Sequence, residues 1–408
     1  MNAAVTRSVR RHSVGWLVAA NAVGLLLAVL LLRPGLNDLL APLTYGRWMP
    51  LHLNWQLYGW CALPLVGVLF RFYLPDDDRA ASAARFALGC WTATLFFGGL
   101  TWLAGQVGGK AFLDWTGAAR SLWALAGLIL WLVLMRQAAR RNPLPAAWAW
   151  ALLIALGAVP FVLYWAAGPG VYPAVNPDSG GPTGASLLGS TLGVIAIFGL
   201  LPWLLRLERV AGARTRWGCA AAFALSLLLY AGLGQGNTSH HQADQIAGLG
   251  SLALWIPLVW FYARSFVWAR ATRCWLAAAF AWWLLLVLTG WIGFLPVFSE
   301  RVKFTNVLVA HAHLALAGLV TSLDVALLLQ LGPGRAPRAG SFWLWQLGCA
   351  VQLGALFWLG WREGADPALL FGRGGPADLA YGLRLLGGGA MFAASVDWWR
   401  TYSSHATT

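Results

Sequence analysis

Long apolar runs recur along the whole chain, broken at short intervals by links rich in charge, glycine and proline. A bilayer core of about 30 Å takes roughly 20 apolar residues in helical form. Runs of that length fall at 14–33, 49–72, 84–106, 119–137, 146–167, 183–205, 216–235, 246–266, 274–295, 304–331, 341–361 and 377–397. They predict an all-α polytopic bundle of about twelve transmembrane helices, because only helices and closed barrels satisfy their own backbone in lipid. Most links are too short to hold a soluble domain, so residues 1–408 are expected to form a single integral membrane domain. Residues 168–182 and 362–376, dense in glycine and proline, are expected to be loops. The first run follows Arg7, Arg10 and Arg11 and is too long for a signal-peptide core, so it is expected to stay as a helix. No internal repeat is visible, which weighs against many transporter folds.

Composition agrees. The chain is 59% hydrophobic and 10% charged, against roughly 25% charged in soluble domains. Its net charge of +14 would suit nucleic acid, but the charges are distributed by side. With the N-terminus inside, the inner segments carry all of the excess, in groups such as Arg136, Arg140 and Arg141, or Arg264, Arg270 and Arg273, or Arg335 and Arg338. That is the positive-inside pattern. It places both termini in the cytoplasm, makes the inner membrane the expected location, and leaves no role for nucleic acid. The five cysteines (61, 90, 219, 274 and 349) form no CxxC pair and read as small apolar residues. No CxxCH is present, so any c-type haem belongs to a partner subunit. Among the 27 tryptophans, Trp55, Trp60 and Trp282 lie within spans, where they suit helix packing or a flat cofactor.

His12 and His405 lie in the tails. The other five histidines, His52, His240, His241, His311 and His313, lie in or at the ends of apolar spans, where ionisable groups are costly and mark function. The topology puts all five in the outer half of the membrane, and one shared site would explain this. On a helix, positions i and i+2 point about 200° apart, so His311 and His313 would serve different cofactors on opposite faces. Adjacent His240 and His241 would reach one ion. Imidazole is the usual ligand of haem iron, copper and non-haem iron. The simplest allocation holds one haem between His52 and His313 and a second on His311, with His240 and His241 binding a further metal opposite it. Interhelical hydrogen bonding is the bland alternative for any one of them. Arg384, near the outer end of the last span, would pair with haem propionates or snorkel to the interface.

The segments LHLNWQLYGW (51–60), SHHQADQ (239–245), TNVLVAHAHLALAGL (305–319), SFWLWQLG (341–348) and YGLRLLGGGAMF (381–392) resemble subunit I of the haem-copper oxidase superfamily. The resemblance is to its cbb3-type cytochrome c oxidase and nitric oxide reductase branches. It implies a twelve-helix core and two b-type haems, one low-spin on His52 and His313 and one high-spin on His311. It also implies copper or non-haem iron on His240 and His241, and propionate neutralisation by Arg384. The family takes a third histidine for that metal from span 6. Here span 6 has none, and Asn176, Asp178 and Asp244 are the nearby substitutes. Tyr230, in the position of interest for a redox tyrosine, is ten residues from His240. Thr305, Asn306, Thr321, Ser322 and Asp324 are candidates for proton supply, with Asp324 either a relay or the partner of an inner-face cation.

The expected function is therefore a catalytic subunit reducing O2 with electrons from a c-type cytochrome or other donor subunit. Nitric oxide is the alternative substrate. A haem electron-transfer or gas-sensing protein without the second metal is a second class, and a haem-free transporter a third.

Overall fold

The computed structural model describes residues 1–210, 212–332, 336–370 and 374–403. Arg335 and His405 lie outside the described residues. The chain is 78% helical, and among the described residues the only β pairings are two isolated bridges, Val175 with Pro182 and Arg209 with Phe266.

Among the described residues, eleven helices are long and apolar enough to cross a membrane: α1 (Ala3–Leu32), α2 (Tyr45–Tyr73), α3 (Asp78–Leu103), α4 (Gly117–Ala139), α5 (Ala147–Ala166), α6 (Gly184–Leu204), α8 (Ala243–Arg264), α9 (Arg270–Phe294), α10 (Asn306–Gln330), α11 (Ala339–Ala365) and α12 (Pro376–Ser403). The expected span 216–235 falls on α7 (Ala213–Gly232). This helix is outside the eleven, because Arg214 and Arg216 occupy its first turns and shorten its apolar stretch. Many apolar side chains point outward, among them Ile154, Phe161 and Trp165 on α5, each 63% exposed. A water-soluble protein does not expose apolar surface on this scale. The protein is a multi-pass membrane protein.

The chain divides into two compact units. One comprises 1–171, 327–348 and 385–408, the other 172–326 and 349–384.

In the first unit α1 packs along α2. Arg10 is buried and donates to the carbonyls of Leu328 (2.9 Å) and Gly332 (2.7 Å), while Arg71 donates to Leu331 O (2.9 Å). These cations satisfy carbonyls at the C-terminal end of α10, where the helix dipole favours positive charge. Trp115 and Trp123 stack in parallel at 5.0 Å, with Tyr58 edge-on to both. Trp60 is fully buried and lies against Trp398, and Trp55 packs on Trp16.

In the second unit a core of Leu188, Leu192, Trp255, Trp283 and Phe294 joins α6, α8 and α9. Gly184 lets α6 approach the backbone of Gln245, whose side chain accepts a hydrogen bond from Ala185 N at 2.9 Å. Trp282 lies against Gly318. The indoles of Trp55, Trp60 and Trp282 are thus all packed on protein.

Two spans are not uniform α-helix. α2 is π-helical over Trp55–Cys61, and α10 over Leu314–Val320. Each π segment begins within three residues of a sequence-selected histidine, His52 or His313. Single π turns inside α-helices are rare and concentrate at functional sites.

Candidate functional site

His52 belongs to the first unit. The other sequence-selected histidines and Arg384 belong to the second.

His52 lies on α2, with Nδ1 2.8 Å from Ala20 O. A carbonyl only accepts, so Nδ1 carries the hydrogen and the lone pair of the neutral ring is on Nε2. A Cβ on Gly24 would fall 2.7 Å from His52 Cε1, so the ring fills a cradle that only glycine leaves open.

On α10, His313 has Nδ1 2.8 Å from Val309 O, one turn back, and the same tautomer follows. His311 has Nδ1 3.2 Å from Thr289 Oγ1. The Thr289 hydroxyl donates to Leu285 O at 2.7 Å, so its oxygen accepts from His311, and Nε2 again holds the lone pair. His311 rests on α9 at Gly290, where a Cβ would be 3.2 Å from its ring. All three histidines therefore show the arrangement that orients metal-bound imidazole: one nitrogen tied to an acceptor, the other a donor of electrons. The residues present fit axial ligation of haem.

The start of α10 is held by a group the sequence pattern did not single out. Glu363, 2% exposed on α11, accepts from Asn306 N at 2.7 Å and from Asn306 Nδ2 at 2.6 Å. Thr305 caps the same turn, accepting from Val307 N. A carboxylate at a helix N-terminus meets unsatisfied N–H groups and the positive end of the dipole. α11 comes close here because Gly360 has no side chain: a Cβ would stand 2.2 Å from Val307 N. The expected loop 362–376 is thus helical to Ala365 and turns through Pro367–Leu370. Packing on α10 carries the helix past the point where its apolar run ends. Thr305 and Asn306, expected on a proton route, are committed to this cap.

His240 and His241 are not at the end of a span. α7 stops at Gly232, and the pair lies in the connection before α8, where Gly232, Gly234 and Gly236 break the helix. The two rings stack at 4.5 Å. His240 is fully buried, and both its nitrogens lack a hydrogen-bond partner. Nδ1 is 3.6 Å from Asp178 Oδ2 and Nε2 is 3.8 Å from Glu300 Oε1; His241 Nε2 is 3.3 Å from the same Glu300 oxygen. Candidate ligand atoms of Asp178, His240 and His241 all lie within 4.8 Å of one another.

The Ser239 hydroxyl donates to Asp178 and accepts from His241 N at 3.0 Å. That hydroxyl, and then the neighbouring His241 and His240, hold the Asp178 carboxyl below the usual carboxylate range. Of the substitutes named from sequence, only Asp178 is brought to the pair. The Asn176 side chain accepts from Asp178 N, and Asp244 accepts from Gln245. Glu300, on the short helix Pro296–Val302, is the acidic neighbour that sequence spacing missed, being some sixty residues away. His240 lies edge-on to Phe294, four residues beyond Gly290, so the pair and His311 meet α9 about 6 Å apart along its axis.

No protein-family model matches the chain, and no curated protein matches it.

Arg384 is buried on α12, 9% exposed. Asp324, on the α-helical stretch of α10 after its π segment, is 1% exposed, and its Oδ2 has no hydrogen-bond partner. Among the described residues it forms no ion pair within 4.0 Å. Tyr230, on α7, packs its ring against Gly189.

Proposed function

We propose that this protein is a haem-containing respiratory oxidoreductase of the inner membrane, a catalytic subunit I-like member of the haem-copper oxidase superfamily that reduces O2. The shared tautomer of His52, His311 and His313 carries this reading. Three separate acceptors, Ala20 O, Thr289 Oγ1 and Val309 O, take the Nδ1 hydrogens, and a ring in that tautomer has its lone pair on Nε2, the atom by which imidazole binds a soft-to-borderline metal.

In this assignment His311 holds a high-spin b-type haem, and Thr289 fixes the plane of its ring. A low-spin b-type haem keeps the bis-histidine ligation that the sequence pattern gives to His52 and His313. Arg384 offers a buried cation to propionates. The haem iron would supply reversible one-electron chemistry and an open position for a diatomic ligand. Asp324 offers a buried carboxyl within a span as a proton relay toward the site. Electrons come from a c-type cytochrome or another donor subunit. Nitric oxide is the alternative substrate.

The test is a reduced-minus-oxidised optical spectrum of the purified protein, with and without CO. Two b-type haems are expected, one of them binding CO, and His311→Ala should remove the CO-binding haem while leaving the other. A folded, colourless protein refutes the reading, and so does equal loss of both haems in a His311→Ala variant that remains folded.

A further inference from the structure

Positive charge gathers at the end of the second unit that the charge pattern assigns to the cytoplasm. α6 and α8 finish there, and α7 and α9 begin there. Within 205–216 and 264–273 the chain carries seven arginines, from Arg206 to Arg273, against one carboxylate, Glu208. The backbone ties the two links together: Val210 N donates to Ser265 O at 3.0 Å and Val267 N to Glu208 O at 2.8 Å. Among the described residues Glu208, Arg214 and Arg264 enter no ion pair. Arg264 is exposed, with its guanidinium 5.6 Å from the centre of the Trp260 ring. The carbonyl end of α8 does little to offset this charge, because Ser265 N and Phe266 N already donate to Tyr262 O and Ala263 O, at 3.0 and 3.3 Å. The first turn of α7 adds to the positive field, since it holds Arg214 and Arg216, no acid and no side-chain cap.

A groove of about 460 Å³ opens between α7 and α8 at this end, within the roughly 300–1,000 Å³ of small-molecule sites. The two helices run antiparallel, with Cys219 against Leu258 and Ser226 against Trp255. Thr215 and Arg264 therefore line the charged end of the groove. Gly218, Cys219, Leu258 and Phe261 line it about one to two turns further into the span. Its wall thus changes from cationic and hydroxylic to apolar along the membrane normal. A Cβ built on Gly218 meets nothing within 4 Å, and Phe261 is 56% exposed. Cys219 is the one buried residue of α7 among those described, so this helix is seated more loosely than its neighbours.

We propose that this groove binds one anionic phospholipid, with its phosphate on Arg264, Arg214 and Thr215 and an acyl chain along Gly218, Leu258 and Phe261. Basic pockets between spans on the cytoplasmic side suit acidic lipid headgroups, and guanidinium matches the oxygens of a phosphate. A soluble phosphate would use the charged end and leave the apolar half unfilled. A zwitterionic lipid brings a cation of its own, which the arginines repel. The bound lipid supplies the negative charge that Glu208 alone does not, and it completes the seat of α7.

The experiment uses the full-length protein, delipidated in detergent and titrated with phosphatidylglycerol or phosphatidylcholine, with bound lipid counted by native mass spectrometry. One tightly held phosphatidylglycerol per chain is expected, with phosphatidylcholine about tenfold weaker or more. Arg264→Gln should weaken phosphatidylglycerol by about tenfold, as for a lost charge-assisted bond, and Arg214→Gln by about fivefold. Gly218→Leu fills the apolar half without touching an arginine and should weaken it by about tenfold or more. Arg136→Gln, on α4 of the other unit, should bind like the parent protein. Helical circular dichroism shows that each variant is folded. Equal retention of the two lipids overturns the proposal, as does failure of the folded parent to retain either. Equal losses in Arg136→Gln and Arg264→Gln reduce it to diffuse surface charge and overturn the site. Displacement of phosphatidylglycerol by millimolar inorganic phosphate, or full binding in Gly218→Leu, makes the groove a soluble-anion site. A lipid-free dimer gives the groove to a second copy of the chain, and either result refutes the lipid.

Discussion

Replacing Gly360 with alanine tests how closely α11 must approach the histidine-bearing helix. In an ordinary helix the change stabilises by about 0.5–1 kcal/mol. Here the added Cβ would lie 2.2 Å from Val307 N and 2.7 Å from the Asn306 carbonyl carbon, against a comfortable separation of about 3.5 Å. The helices must part by about 1 Å. Overpacking of this kind costs about 1–3 kcal/mol. The same movement stretches the Glu363–Asn306 bonds of 2.7 and 2.6 Å to the limit of hydrogen bonding, and each is a charge-assisted bond worth about 1.5–3 kcal/mol. The net loss expected is about 3 kcal/mol. Gly354, on the same helix, has nothing within 4 Å of its added Cβ, so Gly354→Ala should stay within about 1 kcal/mol of the parent. Thermal melts followed by helical circular dichroism, with haem content measured in parallel, compare the two. Equal melting temperatures and equal haem in both variants would refute the reasoning.

Glu363→Ala should destabilise by about 2–4 kcal/mol, because it strands two donors of Asn306 in a buried site; melting at the parent temperature would count against a capping role. Gly24→Val should push the His52 ring away from Ala20 O and remove the low-spin haem signal, whereas Gly46→Ala, with open space around it, should not. An unaltered spectrum in Gly24→Val would remove His52 from the ligand list. Asp77 caps α3 through the Ala80 amide and pairs with Arg140 at 2.9 Å. The Ala80 bond first, and then Arg140, hold its carboxyl below the ordinary value of 3.8. Its contribution is therefore present above that value and lost as pH falls through the lowered folded one. Asp77→Asn should flatten the acid end of the melting-temperature profile, and an unchanged acid limb would rule the pairing out as a cause.

The spans were legible because lipid imposes one length on every apolar run. The expected 119–137 matches Gly117–Ala139, and 84–106 matches Asp78–Leu103 to within six residues. Helix ends were less legible. α1 starts at Ala3, not residue 14, because Arg10 finds carbonyl partners inside the protein and lets the helix run beyond its apolar stretch. The histidines announced themselves by their rarity in apolar surroundings. Glu300 and Glu363 did not, since each acts on residues some sixty positions away and sits in a stretch that reads as ordinary surface charge. The connection holding His240 looked like a helix end because its apolar flank hides three glycines. Neither π segment has a sequence signal: LALAGLV reads as plain helix.

That stretch makes α10 two helices in fixed rotational phase. Residues before Leu314 set the directions of His311 and His313, and residues after Val320 set the direction of Asp324. If one residue were lost between them and the segment closed as α-helix, both ends could keep every local bond. The Asp324 half would also stay nearly in phase with the histidines, because the wider i→i+5 turn takes up about one residue more than an α turn. An alignment of chains like this one would record such a loss as a one-residue gap in a featureless apolar run, and the gap would mark a chain whose buried acid faces the same way but whose widened turn beside the histidines is gone.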